Sequence, residues 1–181
     1  MDINRQVRRA ATLSVALGLC AAAATAPSAS ATTRSVPKCS TSDLSAKQTS
    51  TGAGMSQPSS TITLTNTSGT TCKLKGYPTI TAASTKKGPQ EISVGRGNLM
   101  NAPQTKQRRI VLAPGGKAFF SIGSATAFDP PIVEFTSITF ATAPGGKTAT
   151  VKVQLWSTAP TGKPFPIGVT AYGSGAGPTP N

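Results

Sequence analysis

Ser60-Thr-Ile-Thr-Leu-Thr-Asn66 alternates apolar Ile62 and Leu64 with Thr61, Thr63 and Thr65. A period of two puts the aliphatic pair on one face and the threonines on the other, the pattern of a strand lying half in a core. β-branched threonine suits the pleated, wetter face. Asn66, Thr67, Ser68 and Gly69 are turn residues, so the chain reverses there. A second strand begins at Cys72, with Leu74 on the same inward face as the cysteine.

The same rhythm of short strands runs through the remaining sequence. Thr79 to Ala83, Glu91 to Val94, Gln107 to Leu112, Ala118 to Ile122, Val133 to Phe140, Thr148 to Trp156 and Ile167 to Tyr172 are expected as strands. Their spacing of about eight to twelve residues is that of a sandwich. No window of a dozen residues carries apolar side chains at three-and-four spacing, so no helix is predicted. Seven to nine strands over residues 39–172 predict an all-β, two-sheet antiparallel sandwich. In the segment from Thr148, Ala149, Val151, Val153 and Leu155 alternate against Thr150, Lys152 and Gln154, which specifies the register. Between Val133 and Phe140 the phase slips, since Val133 and Phe135 lie on one face and Ile138 and Phe140 on the other. A bulge at Thr136 or Ser137 would restore it.

One short repeat is present. Ala113-Pro-Gly-Gly-Lys117 recurs as Ala143-Pro-Gly-Gly-Lys147. Proline followed by glycine is the chemistry of a type II turn, because proline sets the first central φ and glycine allows the positive φ at the second. Gly146, Lys147 and Thr148 match the end of a phosphate-loop motif. Ala141 stands where its first glycine belongs, and a strand rather than a helix is expected after Thr148.

Residues 1–31 have the make-up of an export signal. Arg5, Arg8 and Arg9 form a basic start, an apolar run spans Ala10 to Ala24, and small residues at Ala29 and Ala31 suit cleavage before Thr32. The run is shorter than the roughly 20 apolar residues that cross a bilayer. Leu19 before Cys20 disfavours lipid anchoring at that cysteine, and Ala10, Ala11 and Thr12 after the arginine pair disfavour twin-arginine export. Secretion is therefore the expected fate. A flexible leader is expected at residues 32–38, and residues 173–181, rich in Gly and Pro, are expected to be a disordered tail.

The chain carries 18 Lys plus Arg, 5 Asp plus Glu and no His, a net charge of +13. Beyond residue 31 the cysteines are Cys39 and Cys72. In an oxidising compartment such a pair joins, so a Cys39–Cys72 disulfide is predicted. Closing that loop stabilises the fold by about 3 to 4 kcal/mol in the chain-entropy model. Two cysteines without histidine do not complete a zinc site, and neither metal nor cofactor is expected.

Catalysis has little to draw on. Without histidine there is neither the usual base of a Ser or Cys triad nor the usual metal ligand. Past the signal the carboxylates are Asp43, Glu91, Asp129 and Glu134. Asp129 and Glu134 stand about 16 Å apart if extended, too far for a glycosidase pair, and Pro130 and Pro131 intervene. Ser35 with Lys38 and Ser84 with Lys87 have Ser-x-x-Lys spacing, but neither lies at a helix start. The expectation is no enzyme and no catalytic residue.

Charge is the better clue. Lys73, Lys75, Lys86, Lys87, Arg96, Lys106, Arg108 and Arg109 recur through the middle of the chain. Such excess attracts polyanions through a salt-sensitive field. For an exported protein these are anionic cell-wall polymers or lipid head groups. Aromatics interleaved with basic residues are missing, so nucleic acid is not expected. Lys86, Lys87, Lys106, Arg108 and Arg109 are the candidate anion-binding residues, on a chain expected to be monomeric. The alternative is a secreted ligand or inhibitor acting through the loop of residues 95–106, where Leu99 and Met100 stand among Gly, Asn and Pro.

Taken together, Cys39, then Gly52-Ala-Gly-Met55, the Ile62 to Asn66 strand with Thr67, Ser68 and Gly69, then Cys72, Leu74, Gly76, Tyr77 and Pro78, and later Leu112-Ala-Pro-Gly-Gly116 with Ala118, resemble the actinobacterial secreted domain-of-unknown-function family 4232. The match runs in order from Cys39 to Ile122. Many members carry a further cysteine pair in the second half, and nothing after Cys72 is a cysteine here. The resemblance implies an immunoglobulin-like sandwich, export or lipid anchoring, and no established activity. It transfers no catalytic residue. Tyr77 is read as structural, its ring packed and its hydroxyl seeking a backbone acceptor.

Overall fold

The computed structural model describes residues 35–54, 56–125 and 132–177. The segment read as an export signal, residues 1–31 with Cys20, and also Asp129, lie outside the described residues. A 3-10 turn, Thr41–Asp43, leads into β1 (Leu44–Gly52), β2 (Ser59–Asn66), β3 (Cys72–Lys75) and β4 (Thr79–Thr85). There follow β5 (Gly88–Gln90), β6 (Ile92–Arg96), β7 (Arg109–Leu112) and β8 (Lys117–Gly123). The last four are β9 (Val133–Ala141), β10 (Thr148–Ser157), β11 (Phe165–Val169) and β12 (Gly173–Ser174). The described fold is all-β, with no α-helix among the described residues.

Hydrogen bonding divides the strands into three sheets. The largest has the order β1-β2-β8-β11-β6, with β12 also pairing β8; the second is β10-β9-β4-β5; and β3 with β7 makes a two-stranded ribbon. Pairing is antiparallel except that β11 runs parallel to β6, against the all-antiparallel expectation. Between β6 and β11 the chain passes through β7, β8, β9 and β10, the long connection that a parallel pair needs.

Alternation delivers the core. Ile62, Leu64, Phe120, Ile122, Phe135, Ile138, Phe140 and Leu155 are all fully buried. Each such side chain stabilises the fold by about 1.5–3 kcal/mol relative to exposure. Phe120 of β8 meets Phe140 of β9 at 5.2 Å between centroids, and Tyr172 edge-on at 6.1 Å, so the two larger sheets share one core. The phase slip in β9 is absorbed at Thr136. Ser137 pairs Ser84 while Phe135 pairs Thr85, and on the other side Ser137 pairs Lys152 while Phe135 pairs Leu155. Both Phe135 and Ile138 thereby point inward.

β1 was not legible, because Leu44 and Ala46 give way to Lys47-Gln-Thr-Ser-Thr with no apolar alternation. It forms by pairing along β2, with Thr49 Oγ1 and Thr63 Oγ1 2.9 Å apart.

Both ends of the domain depart from expectation. The leader is tied down at its close. Lys73 N donates to Pro37 O at 2.8 Å, Cys39 N donates to Lys73 O at 3.0 Å, and Lys38 bridges Lys73 in parallel. Beyond Tyr172, the presumed disordered tail forms β12 on β8, with Gly173 opposite Phe119. The next residues cross the outer face of β2, where Thr63 Oγ1 donates to Ala176 O. Glycine is what permits it, since a Cβ at Gly173 would lie 2.3 Å from the Phe119 ring and one at Gly177 3.0 Å from Thr61. Thr61 and Thr63, expected on a wet face, are buried by this crossing. Residues 178–181 lie outside the described residues.

Candidate functional site

The ribbon of β3 and β7 carries Lys73, Lys75 and Arg109. Cys72 faces Leu112 and Leu74 faces Ile110, all four buried. By alternation the remaining pairs, Lys73 with Val111 and Lys75 with Arg109, occupy the outward face. Like charges directly opposite on an antiparallel pair destabilise it. Lys38, bridged to Lys73, adds another cation from the neighbouring segment.

These residues border a cleft of about 540 Å³. Lys38, Lys73, Lys75 and Arg109 supply its charge, Tyr77 and Leu74 its apolar surface, and no carboxylate lines it. Gly76, at φ 81°, turns the chain out of β3, and its carbonyl accepts from Tyr172 N at 2.9 Å. The turn presents Tyr77 to the cleft, and the Arg96 guanidinium lies over the Tyr77 ring at 5.8 Å.

The Cys39–Cys72 disulfide joins the cleft's two sides, with the Cα atoms 4.9 Å apart. Thr142 Oγ1 donates to Cys39 O at 2.8 Å and Thr142 N donates to Thr41 Oγ1 at 3.0 Å, which brings Ala143 and Pro144 of the second Pro-Gly-Gly turn to the rim. Behind them Tyr172 Oη donates to Thr142 O at 3.3 Å, and burial raises the Tyr172 phenol far above its ordinary range.

The five candidate cations are distributed over three places. Lys86 and Lys87 sit in the β4–β5 turn, in a hollow with exposed Ile132. Lys106 and Arg108 line a separate hollow of about 590 Å³ beside Phe119 and Ser174. Arg109 alone belongs to the cleft, opposite Lys75. The residues missed, Lys38, Lys73, Lys75 and Tyr77, left a partial signal: Lys73 and Lys75 alternate with inward Cys72 and Leu74. Their meeting with Arg109 depends on the ribbon's register, which no local pattern reveals.

The loop of residues 95–106 is held at several points. Leu99 packs over Gly123 and Gly168, where added Cβ atoms would lie within 3 Å of it. Asn101 Nδ2 donates to Gly54 O and Gln57 O at 2.7 and 2.8 Å, and Thr105 Oγ1 to Ala171 O at 2.9 Å. Met100 is 60% exposed.

Among the described residues no three His, Cys, Asp or Glu side chains gather as a metal site would require. Neither curated proteins nor solved structures yield a match to the chain. A family model does match, across residues 39–172, from the first bonded cysteine to the buried tyrosine behind the cleft. The chain accordingly belongs to the family described as Domain of unknown function (DUF4232).

Proposed function

We propose that this protein is an exported, non-catalytic cell-envelope module that holds anionic surface polymers in the cleft of the β3–β7 ribbon. One observation carries the reading: Lys75 and Arg109 stand directly opposite each other, with Lys38 and Lys73 alongside and no carboxylate in the cleft. Gathering like charges costs stability, and a site that departs from good local design without a structural return is where function is sought. Arginine offers a planar fork that matches a phosphate, while lysine acts as a mobile point charge. The disulfide supports an extracellular setting. In this reading the six- and four-stranded sheets are the two layers of an immunoglobulin-like sandwich, and the ribbon is an appendage that carries the site.

Sedimentation with purified cell walls tests the proposal. The protein is expected to pellet at low salt and to be released as salt screens the contacts. A Lys75→Ala, Arg109→Ala double variant is expected to lose most of the pelleted fraction. Retention that is indifferent to salt, or undiminished in the double variant, would overturn it.

A further inference from the structure

The cleft and the hollow holding Lys106 and Arg108 meet at one side chain, because Gln107 borders both. We infer that they form a single track whose ligand is a linear polymer of polyol units joined by phosphodiesters, long enough to contact Arg109 and Arg108 together. The inference rests on the reading of the cleft as a polyanion site. Arg109 lines the cleft, Lys106 and Arg108 line the hollow next to it and Gln107 lines both, so one cationic group follows another along a short path.

Leu74 and Tyr77 border one compartment and Phe119 and Tyr172 the other, with Tyr77 alone of the four more than slightly exposed. The Arg108 guanidinium donates to Ser174 Oγ on β12, so the segment that straps Phe119 also positions the second cation. Cations spaced along the track with no free aromatic face between them fit a chain in which phosphates alternate with polyol units rather than bases.

The aromatics discriminate against nucleic acid. Phe119 is 8% exposed and Tyr172 fully buried, while the half-buried Tyr77 already has Arg96 over its ring. A single strand binds largely by stacking bases on free aromatic faces, and none is offered along the track.

Calorimetric titration of the purified chain at low salt, with glycerol phosphate and with oligo(glycerol phosphate) of increasing length, tests this. Affinity is expected to rise at least about tenfold from the monomer to an oligomer that fills both compartments. Replacing Lys106 and Arg108 by Ala is expected to abolish that length gain and to leave short oligomers bound. The slope of log affinity against log salt should fall by about one per phosphate contact removed. A length-independent affinity, or a gain that survives in the Lys106→Ala, Arg108→Ala variant, overturns the track while sparing the cleft. If no length binds, the polyanion reading itself fails. If an oligothymidylate with the same number of phosphates binds as tightly, the polyol assignment is wrong.

Discussion

Ala113-Pro-Gly-Gly-Lys117 and Ala143-Pro-Gly-Gly-Lys147 are identical in sequence and nearly identical in backbone, yet the fold uses them differently. Gly115 and Gly145 take φ values of 75° and 71°, and the Gly116 and Gly146 amides close back on Ala113 O and Ala143 O. The first turn is pinned to the end of β2: Asn66 N donates to Gly116 O at 2.9 Å and Gly115 N to Asn66 O at 2.8 Å. Among the described residues the second has no such partner on its glycines. It is anchored at its neck through Thr142, leaving Pro144 at the rim of the cleft. Local chemistry makes the turn, and tertiary partners decide whether it serves as a clamp or a rim.

The disulfide lies between the two. Cys72 pairs with Leu112 just before the first turn, and Cys39 O holds Thr142 just before the second. Replacing both cysteines by Ala is expected to loosen both turns at once and to lower stability by about 4 kcal/mol, seen as an earlier urea midpoint.

Asn66→Ala removes the side chain that backs the clamp and leaves its main-chain bonds to Gly115 and Gly116 available. The buried Asn66 Nδ2 donates to Thr70 O and Leu112 O at 2.8 and 3.0 Å, and its Oδ1 accepts from Ser68 N at 3.0 Å. A loss of about 2 kcal/mol is expected, because the buried Leu112 carbonyl loses its partner and the bonds to Thr70 O and Ser68 N go with it. Equal stability in the variant would dissolve the contrast between the turns.

The glycines measure the contrast within a single residue type. A Cβ at Gly116 would lie 2.8 Å from Ala113 O and 3.3 Å from Leu112 Cα, whereas at Gly146 the nearest atom is Ala143 O at 3.1 Å. Gly116→Ala should cost about 2 kcal/mol and Gly146→Ala about 1 kcal/mol. Gly115→Ala and Gly145→Ala, both at positive φ with open space around them, should cost about 1 kcal/mol each and match one another in thermal melts.

Tyr172→Phe tests the neck of the second turn. The 3.3 Å bond to Thr142 O is long, so the expected loss at neutral pH is about 0.5 kcal/mol. Because burial raises the phenol in the folded state, the unfolded chain loses its proton first as pH climbs. Stability is thus intact below the unfolded value, near pH 10, and declines above it. The variant should show less of that decline in unfolding curves taken across this range.

Much of the architecture was legible because period-two patterns are local. Ile62 and Leu64 point inward as read, the slip in β9 resolves at Thr136, and the glycines of both Pro-Gly-Gly repeats adopt positive φ. β1 was not, since Lys47-Gln-Thr-Ser-Thr has no apolar phase and becomes a strand only when β2 supplies its hydrogen bonds. The tail misled for a related reason. Gly173 and Gly177 have no side chain to bury, and what they do instead is let backbone lie against Phe119 and Thr61.

The site divides in the same way. Residue identities were enough to state that cations recur through the middle of the chain, Lys106, Arg108 and Arg109 among them, and that Cys39 and Cys72 would join. Which cations share a surface was settled by register: Lys75 against Arg109, Lys38 beside Lys73, and Lys86 with Lys87 at a separate turn. Charge is a property of composition and strand phase a property of neighbours in sequence. Pairing between β3 and β7 spans more than thirty residues of chain and is selected by the packing of Cys72, Leu74, Ile110 and Leu112, not by the cations it brings together.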